Sequence, residues 1–208
     1  MKLIYFILFT ALISCQSNTK EMTYSKSWSQ EEKNFLISSL TDSYQGVVEE
    51  VTSLDEAEWS WKAIDSVWSI AEVVEHLIVH DELFYREARV LTGLPTLPEQ
   101  VESHFAADEE ILSYKEITPQ NTGKSPSYME PMGRWCSKDE ALAGYSHIRA
   151  MLIDFVKTTN KDLRQFYTSS GRGPTMYRDL HQLLLISGAH TERHRKQIQN
   201  IKTEMPKN

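Results

Sequence analysis

Three apolar-periodic runs in this 208-residue chain are each headed by a serine that stands three residues ahead of a glutamate. The three are Ser29–Glu32 in "SQEE", Ser69–Glu72 in "SIAE" and Ser137–Glu140 in "SKDE". In this capping box the serine oxygen and the glutamate carboxylate each take an N–H of the first helical turn that no helical carbonyl can reach. One match carries little weight. Three, each followed by a stripe of apolar residues at steps of three and four, commit most of the chain to helix.

The first stripe, about residues 30–53, carries Leu36, Leu40, Tyr44, Val47, Val51 and Leu54, and the second, about 69–92, Ile70, Val73, Leu77, Phe84, Ala88 and Leu91. A third, about 138–158, shows Ala141, Tyr145, Ile148, Leu152 and Phe155. The fourth, about 175–203, runs Leu180, Leu183, Ser187, His190, His194, Ile198 and Ile201. All seven prolines fall outside these spans, as expected when a proline inside a helix costs about 3 kcal/mol. Five of them lie between residues 95 and 131, which makes 93–137 a long irregular connection with room for a short helix around "AADEEILSYKE". No run of alternating strands and no internal repeat is found. The expected fold is all-α, a four-helix bundle with a long crossover loop between helices 2 and 3. Loops of that length in a compact domain often cover a site.

The N-terminus reads separately. Lys2 precedes "LIYFILFTALIS", an apolar stretch too short to span a bilayer comfortably, and "LISC" ends it at Cys15. That order resembles the lipobox of bacterial lipoproteins. It implies a signal peptide over 1–14, a lipidated Cys15, a polar tether over 15–28 and the bundle over 29–204, exported and anchored to a bacterial membrane on its periplasmic or cell-surface side. Only one other cysteine exists, Cys136, so with Cys15 acylated no intramolecular disulfide can form. Loss of the signal, in which Lys2 is the one charged residue, takes the formal charge from −7 to −8. An acidic chain without lysine or arginine clusters argues against a nucleic-acid partner.

Chemistry gathers on the histidines. His190 and His194 are four residues apart, so a helix projects them from nearly one face, and they continue the apolar stripe of the fourth helix. Two imidazoles buried side by side need partners, because an unsatisfied buried polar group costs roughly 1–3 kcal/mol. A divalent metal satisfies both; so do hydrogen bonds to side chains or water. A metal needs a third ligand, and "VVEHLIVHDE" on the second helix offers His76 and His80 near its inward face. His76 with His190 and His194 gives three imidazoles and an open position, the ligand count of a catalytic zinc site. Imidazole also suits nickel, copper or iron.

"WSIAEVVEHL" and "HTERHRKQI", with "DEAEWSWKA" before the second helix and "MGRWCSKDEAL" before the third, resemble the DinB-like (YfiT-like) superfamily over roughly residues 30 to 203. The resemblance implies a four-helix bundle and a divalent transition metal, zinc or nickel foremost. One ligand comes from the "EHL" position and two from H-x-x-x-H in the last helix, which fall on His76, His190 and His194. It also implies pairing into homodimers. His80 matches no ligand position and is expected to be a hydrogen-bonded neighbour of the site. His104, His147 and His181 are expected on the surface or in loops. Glu72, Glu75, Asp81 and Glu192 are expected as solvated charges, Gly188 as a point of close helix approach, and Trp59, Trp61 and Trp68 as packing residues.

A three-histidine metal supports hydrolysis of a small substrate. Some members of the wider superfamily are instead thiol-dependent transferases, a chemistry disfavoured outside the cytoplasm, where such thiols are scarce. The non-enzyme alternative is a lipid-anchored metal-binding or interaction protein. Cys136 has no recognisable activating partner, and no serine triad competes.

Overall fold

A computed structural model describes residues 27–96, 107–117, 125–168 and 178–206. The proposed signal peptide, Cys15 and His104 lie outside them. Among the described residues there are six helices: α1 (Gln30–Val51), α2 (Glu56–Ser60), α3 (Ile70–Leu91), α4 (Asp108–Leu112), α5 (Lys138–Thr158) and α6 (Leu180–Glu204). Two residue pairs, Tyr167–Thr168 (β1) and Arg178–Asp179 (β2), form one antiparallel bridge, a feature too short to leave a mark in the sequence pattern. None of the described helices is long and apolar enough to cross a membrane.

The capping boxes behave largely as the sequence suggests. Ser29 and Glu32 satisfy each other's backbone at 3.1 and 2.8 Å, and Ser69 and Glu72 do so at 3.2 and 2.8 Å. Ser137 accepts from the Glu140 N–H, but the Glu140 carboxylate reaches back one residue further, to the N–H of Cys136. Two caps escaped the serine pattern because aspartate plays the same part. Asp55 and Glu58 open the short α2, and Asp179 accepts from the Gln182 N–H at the head of α6.

The four long helices make the bundle. α1 lies against α6 and α5, and α3 lies against α5 and α6. Of the consecutive long helices, α3 and α5 are adjacent, whereas α1 with α3 and α5 with α6 stand on diagonals. This arrangement places α3 and α6, which carry His76, His190 and His194, side by side. α4 and the turn Ser113–Lys115 pack on α6, and the turn Ser127–Met129 packs on α3, so described parts of the connection between α3 and α5 reach both of these helices.

That covering changes the reading of α6. Its residues are buried without a break from Leu180 to Thr191, not along one stripe. His181 is accordingly not a surface residue: it is 1% exposed, and its Nδ1 accepts from the Trp28 indole N–H at 3.0 Å. His147 is exposed, as expected. Gly188 does mark a close approach, since a Cβ there would lie 2.2 Å from Ser39 Oγ on α1.

Buried apolar side chains fall into two clusters. One gathers Leu36, Leu40, Phe84, Leu152, Leu183 and Leu184; the other gathers Val47, Val51, Val73, Leu77, Ile148 and Ile198. Along each long helix the changeover falls at one level. On α3, α5 and α6 that level is occupied by buried polar groups: Asp81, Arg149, Ser187, His190 and Thr191.

Candidate metal centre

His76 leaves the second turn of α3 and meets His190 and His194 on the neighbouring α6. The Nε2 atoms of His76 and His190 are 3.2 Å apart, and those of His194 and His190 are 3.0 Å apart. All three side chains are buried, and their ligand atoms lie within 4.8 Å of one another. Sequence separation does not matter here: His76 and His190 are 114 residues apart in the chain.

The outer nitrogens decide what the inner ones can do. His76 Nδ1 is 2.8 Å from the Met129 carbonyl, which can only accept, so Nδ1 carries the hydrogen and Nε2 a lone pair. His194 Nδ1 is 2.7 Å from the Gln197 side-chain oxygen, with the same consequence. Two lone pairs therefore point at His190 Nε2, which has at most one hydrogen to offer. His190 Nδ1 is buried without a hydrogen-bond partner.

Protonation does not relieve this. Burial holds His76 down to about 4, the Met129 carbonyl only partly opposing it and the His80 ring adding to it. Burial likewise lowers His194 to about 3, with His76 reinforcing the effect and Gln197 opposing it. His190 is pushed well below its ordinary value by burial and by the neighbouring histidines. Three neutral imidazoles with converging lone pairs form a donor set that a divalent transition ion fits and a hydrogen-bonded cluster does not.

Around the centre, Trp68 packs its ring 5.0 Å from that of His76. Tyr114, on the connection, stacks over His190 at 6.1 Å, and the Arg193 guanidinium lies 5.5 Å from the centre of the tyrosine ring. His80 sits beside the site as expected, but ring stacking rather than a hydrogen bond holds it. Its ring lies 4.0 Å from His190 at 12° and 4.0 Å from Phe84, and its Nδ1 has no hydrogen-bond partner.

Two of the four acidic residues expected in solvent are buried. Asp81 is fully buried, with Oδ2 2.9 Å from Arg149 Nη2 and Oδ1 accepting from Ser187 Oγ at 2.6 Å. Arg149 also donates to Thr191 Oγ1 at 2.7 Å. Ser187 and Thr191 flank His190 on α6, so this pair fixes the rotation of the helix that carries two of the histidines. Glu75, 4% exposed, accepts from the N–H groups of Met132, Gly133 and Arg134. Glu72 caps α3 and pairs with Lys62, and Glu192 pairs with Arg195. Trp59 is buried in the core as expected.

Sequence reasoning missed the partners of the outer nitrogens. Gln197 could have been found, since a residue three positions after His194 lies on the same helix face. Met129 could not: a backbone carbonyl in an irregular segment has no residue-type signature.

Fold and cluster together define a class, a four-helix bundle with a buried three-histidine centre shared by two adjacent helices. The sequence profile of the DinB superfamily matches residues 39–198, and the chain belongs to that family. Among solved structures it is similar to YfiT from Bacillus subtilis, described as a probable metal-dependent hydrolase with an unusual four-helix bundle topology. The two share 17% identity, the alignment covers 86% of this chain and 91% of that one, and the TM-score is 0.56. No curated protein matches the chain.

Proposed function

We propose that this protein holds a divalent transition metal, zinc or nickel foremost, on His76, His190 and His194 and uses it to hydrolyse a small substrate. The observation that carries the reading is the convergence of three neutral Nε2 atoms, two of them aimed by outward hydrogen bonds to Met129 and Gln197. A bound divalent ion would supply a Lewis acid able to polarise a carbonyl or activate water. The chain's own part is to fix the imidazole tautomers and to exclude bulk water with Trp68 and Tyr114. Lipidation at Cys15 belongs to the same reading and would anchor the bundle to a bacterial membrane on its periplasmic or cell-surface side, with pairing into homodimers as a further expectation.

One observation favours a second reading, a lipid-tethered metal-binding protein without catalysis. Glu75 and Asp81, the acidic side chains adjoining the cluster, are committed to backbone N–H groups and to Arg149, so neither is free to act as a base.

Metal content of the full-length protein, purified without chelator or metal-affinity resin, is the deciding measurement, beside His76→Ala, His190→Ala and His194→Ala. Near-stoichiometric metal that every variant loses while helicity survives supports the reading. Protein that is metal-free and refuses added zinc, nickel and manganese overturns it. Screening the loaded protein against ester, amide and phosphoester substrates then separates the hydrolase from the silent binder.

A further inference from the structure

Glu75 and His76 are consecutive on α3 and leave the helix about 100° apart, yet both grip the same stretch of chain. His76 donates through Nδ1 to the Met129 carbonyl at 2.8 Å. The Glu75 carboxylate takes three successive backbone N–H groups just beyond it: Met132 at 2.8 Å, Gly133 at 3.0 Å and Arg134 at 3.3 Å. Gly133 has φ +72°, the left-handed conformation that turns neighbouring N–H groups toward one anion.

Such a carboxylate is a strong anchor. An ionised group taken out of water is tolerated only where hydrogen bonds replace its hydration, and here the turn supplies them; the nearest cation, Arg134 Nε, is 3.8 Å away and half in solvent. Between the Met129 carbonyl and the first anchored N–H lie only Glu130 and Pro131, and the proline ring fixes its own φ. The carbonyl therefore has little slack once the turn is seated.

We infer that Glu75 is a positioning residue for His76: by clamping the turn Met132–Arg134 it holds the Met129 carbonyl on His76 Nδ1 and keeps the Nε2 lone pair aimed at His190 and His194. Its effect on metal affinity rests on the metal reading above; its effect on the imidazole does not.

The test uses the full-length chain and two readouts. Long-range proton–nitrogen correlation spectra of the metal-free protein report which ring nitrogen of His76 carries the hydrogen. Titration with cobalt(II) reports affinity. Glu75→Gln keeps the size but turns one acceptor into an N–H₂ facing backbone donors. It is expected to replace the single Nδ1–H form of His76 by a tautomer mixture and to weaken cobalt binding roughly 10–100-fold. Glu140→Gln, which loosens the Cys136 end of the same connection, is the control and is expected to match wild type in both.

Wild-type tautomer in Glu75→Gln overturns the inference, and so does an equal tautomer loss in Glu140→Gln, which would mean general loosening. Wild type that takes no cobalt while Glu75→Gln still scrambles the tautomer removes the metal reading and upholds the positioning role. Should Glu75→Gln fail to fold, Glu75→Asp, which retracts the charge by one methylene, is read in the same way.

Discussion

Asp81 on α3 and Arg149 on α5 form an ion pair at 2.9 Å in which neither side chain is more than 1% exposed. It sits between the two apolar clusters, and both partners reach α6 on either side of His190, through Ser187 and Thr191. Removing one member leaves the other charged and buried. Arg149→Met should therefore destabilise the protein by about 3–5 kcal/mol, whereas Arg149→Met combined with Asp81→Leu should recover much of that loss. Urea unfolding of the three proteins measures both, and a double variant no better than the single one would contradict the account.

A second ion cluster fastens the connection to the bundle. Arg164 pairs with Glu32 on α1, with Asp179 at the cap of α6 and, closest of all, with Asp108 at the start of α4. Burial would raise the Asp108 carboxyl, but hydrogen bonds from Arg164 and Gln182 outweigh it and hold it down to about 2. A depressed carboxyl contributes stability that is full above its unfolded value of 3.8 and is lost as pH falls toward 2. The stability difference between wild type and Asp108→Asn should thus be constant from pH 7 to about 4 and shrink below it. Asp179 runs the other way, burial lifting it to about 6 against the pull of Arg164. Its contribution grows as pH falls from about 6 to 3.8 and opposes folding at neutral pH. Comparing each variant with wild type, pH by pH, separates the two.

Close contact at Gly188 makes a steric prediction. A methyl group there meets Ser39 Oγ at 2.2 Å and the Ser39 carbonyl at 3.3 Å, so α1 and α6 must part. Gly188→Ala should cost about 1–3 kcal/mol in thermal or urea unfolding. Ser39→Gly in the same protein should restore part of it, because it removes the nearer of the two obstacles.

Metal should act as a folding ligand if the three histidines hold it only in the folded bundle. At a free concentration one hundred times its dissociation constant, zinc should add about 2.7 kcal/mol to unfolding stability. His190→Ala should show no such gain. An equal gain in the variant would place the ion elsewhere.

Most of the helical framework was legible in the sequence because capping boxes and apolar stripes are local signals. Ser29, Ser69 and Ser137 each stand at the head of a helix, and the boundaries drawn from the stripes fall within a few residues of α1, α3 and α5. The start of α6 was drawn about five residues early, because Asp179 rather than a serine caps it. The histidine cluster was legible for a related reason, since four-residue spacing on an inward face survives any packing of the helix. What could not be read was burial imposed from outside a helix. His181 lies off the inward stripe of its helix, and Glu75 and Asp81 read as solvated helix-face charges, so all three are expected at the surface. They are buried because Trp28, the turn at Gly133 and Arg149 come to them from distant parts of the chain. Arg149 shows the limit well: it lies beside the stripe residue Ile148, and only its partner Asp81 makes its burial intelligible.

The diagonal placement of consecutive helices has a consequence for biosynthesis. His76 emerges from the ribosome well before His190 and His194, which lie on α6, the last of the four bundle helices in chain order. A nascent chain ending before α6 presents His76 without its partner histidines and without Leu183 and Leu184, the α6 leucines of the first apolar cluster. The centre can therefore form only once α6 has been made, and translation products truncated before His194 are born without it.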